Sequence, residues 1–208
     1  MALRGTMLTA SDAATAIGDN PYESPDGLYI KKVGGRKFAG NAATERGTLL
    51  EPIARDLYDA RYNRKSHEIG LVQHPKHPWL GGSPDGITEC GRLIEIKCPL
   101  SRKIQDKVPK HYIAQVQLLM EILDLDQCDF IQYRPAGDDG APEEFVVTNL
   151  KRDHEWFARN LPVMKEFWDK VIAGRKVGFT CEVIDEEPRQ IEHKDPVCEI
   201  VDDEVQVL

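Results

Sequence analysis

At 208 residues and 41% hydrophobic content, the chain is long enough to bury one substantial core and too short for two comfortable domains. There is no run of eighteen apolar residues, and MALRGTMLTASD lacks the basic start and apolar stretch of a secretory signal; this argues against a membrane protein and predicts a cytosolic one. A net charge of -8 excludes a protein that coats DNA over an open basic surface, though not an enzyme with a local basic channel.

In chain order, TASDAATAIG reads as a helix start capped by Thr9 or Ser11, with GDNP as its stop. PYESPDGLYIKKVGGRKFAGN predicts a turn, a short helix and a glycine-rich mobile loop carrying Arg36 and Lys37. ERGTLLEPIARDLYDARY places Leu49, Leu50, Ile53, Ala54 and Leu57 on one helical stripe with Glu51 at its margin, and Pro52 must open or kink that helix. Strand-like pieces follow in EIGLVQHP and HPWLGGSPDGITECGRLIEIKCP, with turn chemistry at GSPDG and ECG. Leu93, Glu95 and Lys97 alternate with Ile94, Ile96 and Cys98 across a strand that Pro99 ends. KHYIAQVQLLMEILD is apolar almost all round and predicts a largely buried helix. FIQYRP and EEFVVTNL predict a pair of strands, and DHEWFARNLPVMKEFWDKVIAG a closing helix stopped at Gly174. This order predicts an α/β fold, a central mixed β-sheet flanked by helices in one domain over residues 1–180. Residues 181–208 form an acidic segment in which, from Glu182 onward, ten acids face only Arg189 and Lys194; the rest of the chain is close to neutral. The five cysteines (Cys90, Cys98, Cys128, Cys181, Cys198) are scattered and never form a CxxC pair, so reduced thiols are expected. His74 and His77, near Cys90 and Cys98, lack zinc-ligand spacing, and their prolines make HPKHP a turn.

The chemistry lies in one constellation. Glu95 and Lys97 sit two apart on a segment with the apolar neighbours of a core strand, where burying either charge costs several kcal/mol unless it is paired or binds a metal. Asp85, ten residues upstream, comes back beside Glu95 if a hairpin closes around Glu89, Cys90 and Gly91. Two carboxylates and a strand carbonyl are oxygen ligands suited to Mg2+ or Mn2+, and Lys97 completes a site for phosphodiester hydrolysis. On spacing alone, Asp85 capping a turn and Glu95 paired with Lys97 on an amphipathic surface strand is the competing reading. Pro84 and Gly86 around Asp85, and a further acid, Glu51, on the preceding helix, favour the metal site.

SPDG (Ser83 to Gly86), EIKCP (Glu95 to Pro99) and AQVQ (Ala114 to Gln117), with LRGTMLTASD and GTLLEPIAR, resemble the phage lambda exonuclease family of viral recombinase nucleases in the PD-(D/E)xK superfamily. The resemblance spans about residues 3 to 170 as ordered blocks. It implies a restriction-endonuclease-like core in which Asp85, Glu95 and the Ile96 carbonyl hold one Mg2+, replaceable by Mn2+, and Asp85 bridges to a second near Glu51. Lys97 would orient or activate the attacking water, and Gln115 would help place that water or the phosphate. Arg4, Ser11, Ser83 and Arg102 fall on the blocks that bind a terminal 5'-phosphate, although the segment carrying Arg102 is one residue shorter than the family pattern. The family's strand-separating residue is not matched at Thr44. The implied activity is 5'-to-3' digestion of double-stranded DNA to mononucleotides, leaving a 3' overhang for recombination. It also implies a ring-shaped homotrimer, a single-strand annealing partner, and a phage or prophage protein in a bacterial cytoplasm. An endonuclease of the same superfamily and a catalytically dead DNA-binding scaffold are the alternatives.

Overall fold

The computed structural model describes residues 3–34, 42–137 and 140–177. A 3-10 turn (Leu3–Thr6) leads into β1 (Leu8–Thr9), and a second turn (Ala10–Asp12) leads into the one-turn helix α1 (Ala13–Ala16). Then come α2 (Pro25–Gly34), α3 (Ala42–Tyr62), β2 (Ser66–His67), β3 (Val72–Gln73), β4 (Leu80–Gly82), β5 (Gly86–Thr88) and β6 (Leu93–Lys97). The chain continues through α4 (Lys110–Leu123), β7 (Gln127–Arg134), β8 (Glu144–Lys151) and α5 (His154–Val177). The glycine-rich loop with Arg36 and Lys37, the boundary at residue 180 and the acidic segment lie outside the described residues.

The alternation in β6 fixes the layers. Leu93 enters a cluster with Phe130 and residues of α4 and α5, whereas Ile94 and Ile96 enter another with Ala54 and Tyr58 of α3. Both faces of the sheet are therefore apolar and both are covered, the expected arrangement of a mixed sheet between helices. The strand order is β2-β5-β6-β7-β8, with β6 and β7 parallel and the other pairs antiparallel. A parallel neighbour needs a crossover, and α4, whose buried residues run from Ala114 to Ile122, supplies it.

Three local readings change. A second sheet, β1-β4-β3, accompanies the first, and its strands of two or three residues are too short to show a period. On α3 the buried stripe is Leu50, Ala54, Leu57 and Tyr58, while Leu49 and Ile53 are 71% and 47% exposed. A 3.6-residue period fits either stripe; the Tyr58 hydroxyl, which donates to buried Asp129, selects the inner one. Pro52 sits on the solvent side of this helix, which continues through it. Finally, α5 runs past Gly174 to Val177. Gly174 is a close approach to α2 rather than a stop: a Cβ there would collide with the Tyr29 hydroxyl and lie 3.1 Å from Val33 Cγ2.

Candidate active site

The β5–β6 hairpin closes as the turn residues predict. Gly91 takes φ +77°, a left-handed conformation that suits glycine, and its N–H donates to the Thr88 carbonyl at 2.9 Å. The antiparallel register pairs Gly86 with Ile94, so Asp85 stands opposite Glu95. Asp85 is fixed from two sides: its Oδ2 accepts the Ile96 N–H at 2.7 Å, and its carbonyl accepts Arg55 Nη1 at 2.9 Å.

Glu95 is wholly buried on β6. Its Oε1 accepts from Lys97 Nζ and from Gln115 Nε2, each at 2.5 Å, while Oε2 is buried with no partner. Burial, followed by the charge of Asp85, pushes its pKa up to about 8 despite the neighbouring ammonium. Burial works against the charge on Lys97, but the carboxylates of Glu95 and Asp85 outweigh it and raise that pKa. The ammonium also lies 5.1 Å from the Tyr112 ring centroid. Glu51 faces the same space from α3, its pKa raised by burial first and Asp85 second.

These groups share a cleft of about 420 Å³ lined by Glu51, Asp85, Glu95, Lys97 and Gln115, together with Arg4, Ser11 and Ser83. Arg4 Nη2 donates to Ser83 Oγ at 2.8 Å, so two of the anticipated phosphate ligands already touch. Arg102 does not line the cleft; its Nη1 donates to Gln132 Oε1 at 2.9 Å. The sequence reading missed the hydroxyls of Thr9 and Thr48 on the cleft wall and the grip of Arg55 on Asp85. Arg55 had a visible signal, since it lies four residues after Glu51 and shares its helix face.

The donor set fits a hard divalent cation. An orphaned buried carboxylate oxygen costs about 1–3 kcal/mol, and a cation between Glu95 and Asp85 would satisfy it. Among the described residues no group of three or more His, Cys, Asp or Glu side chains is placed to hold a metal ion. Mg2+ is commonly bound by one or two carboxylates, with water and substrate phosphate filling the remaining positions. The alternative cluster does not assemble either: His74 stacks on Phe157 at 5.5 Å, and Cys98 packs with the α3-side cluster. Burial, then Glu51 and Asp85, push the Cys98 thiol up to about 11.

A family model for the YqaJ-like viral recombinase domain matches residues 1–126. The chain belongs to this family. Its fold is similar to that of the alkaline exonuclease LHK-Exo from Laribacter hongkongensis, at TM-score 0.69 and 29% identity, covering 85% of this chain and 93% of that one. LHK-Exo has also been solved in complex with dAMP. A phage-related exonuclease from Haemophilus somnus shares the fold at TM-score 0.56 and 18% identity, covering 82% of this chain and 92% of that one. An uncharacterised protein of Acanthamoeba polyphaga mimivirus is 34% identical over 148 residues, 62% of this chain and 27% of that protein. A protein of African swine fever virus is 29% identical over 148 residues, 56% of this chain and 42% of that protein. The chain thus matches less than half the length of these curated relatives. By family the chain is YqaJ-like, and by fold it is similar to an alkaline exonuclease.

Proposed function

We propose that the chain is a metal-dependent exonuclease that digests one strand of double-stranded DNA from its 5' end, releasing 5'-mononucleotides and leaving a 3' overhang for recombination. The observation that carries this reading is the buried Glu95, one oxygen unpartnered, opposite Asp85 in a cleft that also holds the Arg4–Ser83 pair. Asp85, Glu95, the Ile96 carbonyl and Glu51 would hold Mg2+, with Mn2+ as a substitute and two ions in all. A bound divalent cation supplies charge neutralisation at phosphorus and a lower pKa for water.

The chain's own groups do the rest. Lys97 presents a paired ammonium to the anionic phosphate, and Gln115 fixes the Glu95 carboxylate from α4. Arg4, Ser11 and Ser83 would receive the terminal 5'-phosphate, because a guanidinium and hydroxyls bind phosphate oxygens well. Arg102 would join them only by leaving Gln132. A mononucleotide bound by LHK-Exo accords with the proposed product. Assembly as a homotrimeric ring on duplex DNA, cooperation with a single-strand annealing protein, and residence in a bacterial cytoplasm as a phage or prophage protein belong to the same proposal.

Linear duplex carrying a labelled 5'-phosphate, incubated with the protein and Mg2+, should lose its label as mononucleotide from the first turnover. Cleavage of covalently closed circles would instead assign an endonuclease, and retention of the 5' label while the 3' end is consumed would reverse the polarity.

A further inference from the structure

The end of the sheet that carries Lys97 has a second feature that the cleft chemistry does not use. Lys97 pairs in register with Gln132, which is wholly buried with its amide committed to the segment between β6 and α4. Gln132 Nε2 donates to the Gln105 carbonyl at 2.7 Å, and its Oε1 accepts from Arg102 at 2.9 Å. Arg134 donates to the Arg102 carbonyl at 2.5 Å, and Thr148 donates to Asp106, the segment's only acid, at 2.9 Å. An irregular segment is thereby pinned to β7 and β8 from within. Its lysines, Lys103 and Lys107, and Lys110 at the start of α4 remain exposed and make no ion pair among the described residues.

An aromatic run leads to the same rim. The Tyr112 ring beneath the Lys97 ammonium lies 4.1 Å from the His111 ring, and His111 meets Tyr22 edge-on at 5.3 Å. Tyr22 is 78% exposed, yet its backbone is held: its N–H donates to the Asn20 side chain, which itself donates to Thr15 Oγ1 at 2.7 Å. Burial, then Arg102 and Lys97, lower the His111 pKa, which favours the uncharged ring.

We infer that this rim is a binding surface for single-stranded DNA, with phosphates on Lys103, Lys107 and Lys110 and a base stacked on Tyr22 and His111. Cations without a partner among the described residues, on the rim that carries an exposed tyrosine backed by a half-buried histidine ring, are what a single strand requires, since every base offers a π-face and every nucleotide a charge. A duplex hides its base faces and gains only the charge. The inference deepens the proposed function, and rests on it for the source of the strand: digestion of one strand leaves the other single beside the cleft.

The test is fluorescence anisotropy of a labelled oligothymidylate with the full chain in EDTA, where cutting cannot interfere. Tyr22→Ala should weaken binding about tenfold, the contribution of one stacked base, while Tyr22→Phe retains it and thermal melting of both matches the parent. Lys103→Gln with Lys107→Gln should reduce the slope of log affinity against log salt by about 0.7 for each lysine lost. Parental affinity in Tyr22→Ala, or a parental salt slope in the lysine double variant, overturns the inference. A parent that binds oligothymidylate in this pattern but cuts no duplex sinks the nuclease reading and leaves this surface standing.

Discussion

Asp85→Asn separates what the hairpin needs from what the chemistry needs. The amide keeps an oxygen for the Ile96 N–H, and Arg55 still grips the residue 85 carbonyl, so the hairpin stays closed. A hydrogen bond to a charged acceptor contributes roughly 1.5–3 kcal/mol and a neutral one about 0.5–1.5, so about 1 kcal/mol is lost there. Against this, the Asp85 charge is the second cause raising both Glu95 and Glu51, a repulsion that the amide removes. The two changes nearly offset one another, and urea unfolding in EDTA should stay within about 1 kcal/mol of the parent. Cation uptake and cleavage have no such compensation. Removing one of the two carboxylates that the hairpin brings together should cost the transition state at least about 4 kcal/mol, or about a thousandfold in rate. Calorimetric titration with Mn2+ and digestion of 5'-labelled duplex read the two halves separately. Cleavage within tenfold of the parent would refute the ligand role, and a stability loss above about 3 kcal/mol would make Asp85 a turn residue instead.

Arg4→Ala removes the guanidinium held on Ser83 and should reduce the preference for phosphorylated over hydroxyl 5' ends about ten- to a hundredfold, the range of a charge-assisted bond; equal rates on both ends in the parent would count against the phosphate pocket. Asp129→Ala strands Arg64 and Arg92 and should destabilise the fold by about 3–5 kcal/mol in urea titration. Burial acts to raise the Asp129 pKa, but hydrogen bonds from Arg92 and Tyr58 outweigh it and hold it below the usual 3.8. Its stabilisation is therefore complete above that value and is lost as pH falls through the lower, folded one. Acid unfolding below pH 3.8 should lose steepness in the variant, and an identical acid limb would contradict the assignment.

What could be read in the sequence was what repeats or punctuates. The alternation of β6 and the Gly91 turn each carry a local signal, and together they brought Asp85, Glu95 and Lys97 to one place, while Gln115 on the apolar helix α4 joined them through the family's glutamine position. The phosphate ligands were legible only through family blocks, and the result divides accordingly. Arg4 and Ser83 touch across 79 positions of chain, whereas Arg102 turns to Gln132, a partner fixed by the β6–β7 register that no local pattern announces. The small sheet was missed because Leu8–Thr9 pairs with Leu80 and Gly81, a parallel contact too short to show alternation. The stripe of α3 was misplaced because helical period does not weigh a tyrosine whose hydroxyl has a buried partner waiting.

That partner sets Asp129 apart from Glu95, the candidate functional acid. Asp129 and Glu95 lie on adjacent strands, one register step apart, on opposite faces of the same sheet, and both are almost completely buried. The Asp129 carboxylate is held at both oxygens, by Arg92 and Asn149 on one side and Arg92, Arg64 and Tyr58 on the other. Its pKa falls in consequence. Glu95 has one oxygen engaged by Lys97 and Gln115 and the other with nothing, beside a second carboxylate, and its pKa rises. Burial acts to raise both groups and weighs more heavily on Glu95; what reverses the direction at Asp129 is the set of hydrogen bonds and charges from Arg92, Tyr58 and Arg64. Asp129 closes a network that pins α3, and with it Glu51 and Arg55, against the sheet. Glu95 is left with a bond to make, facing a cleft where a cation and a phosphate can supply it.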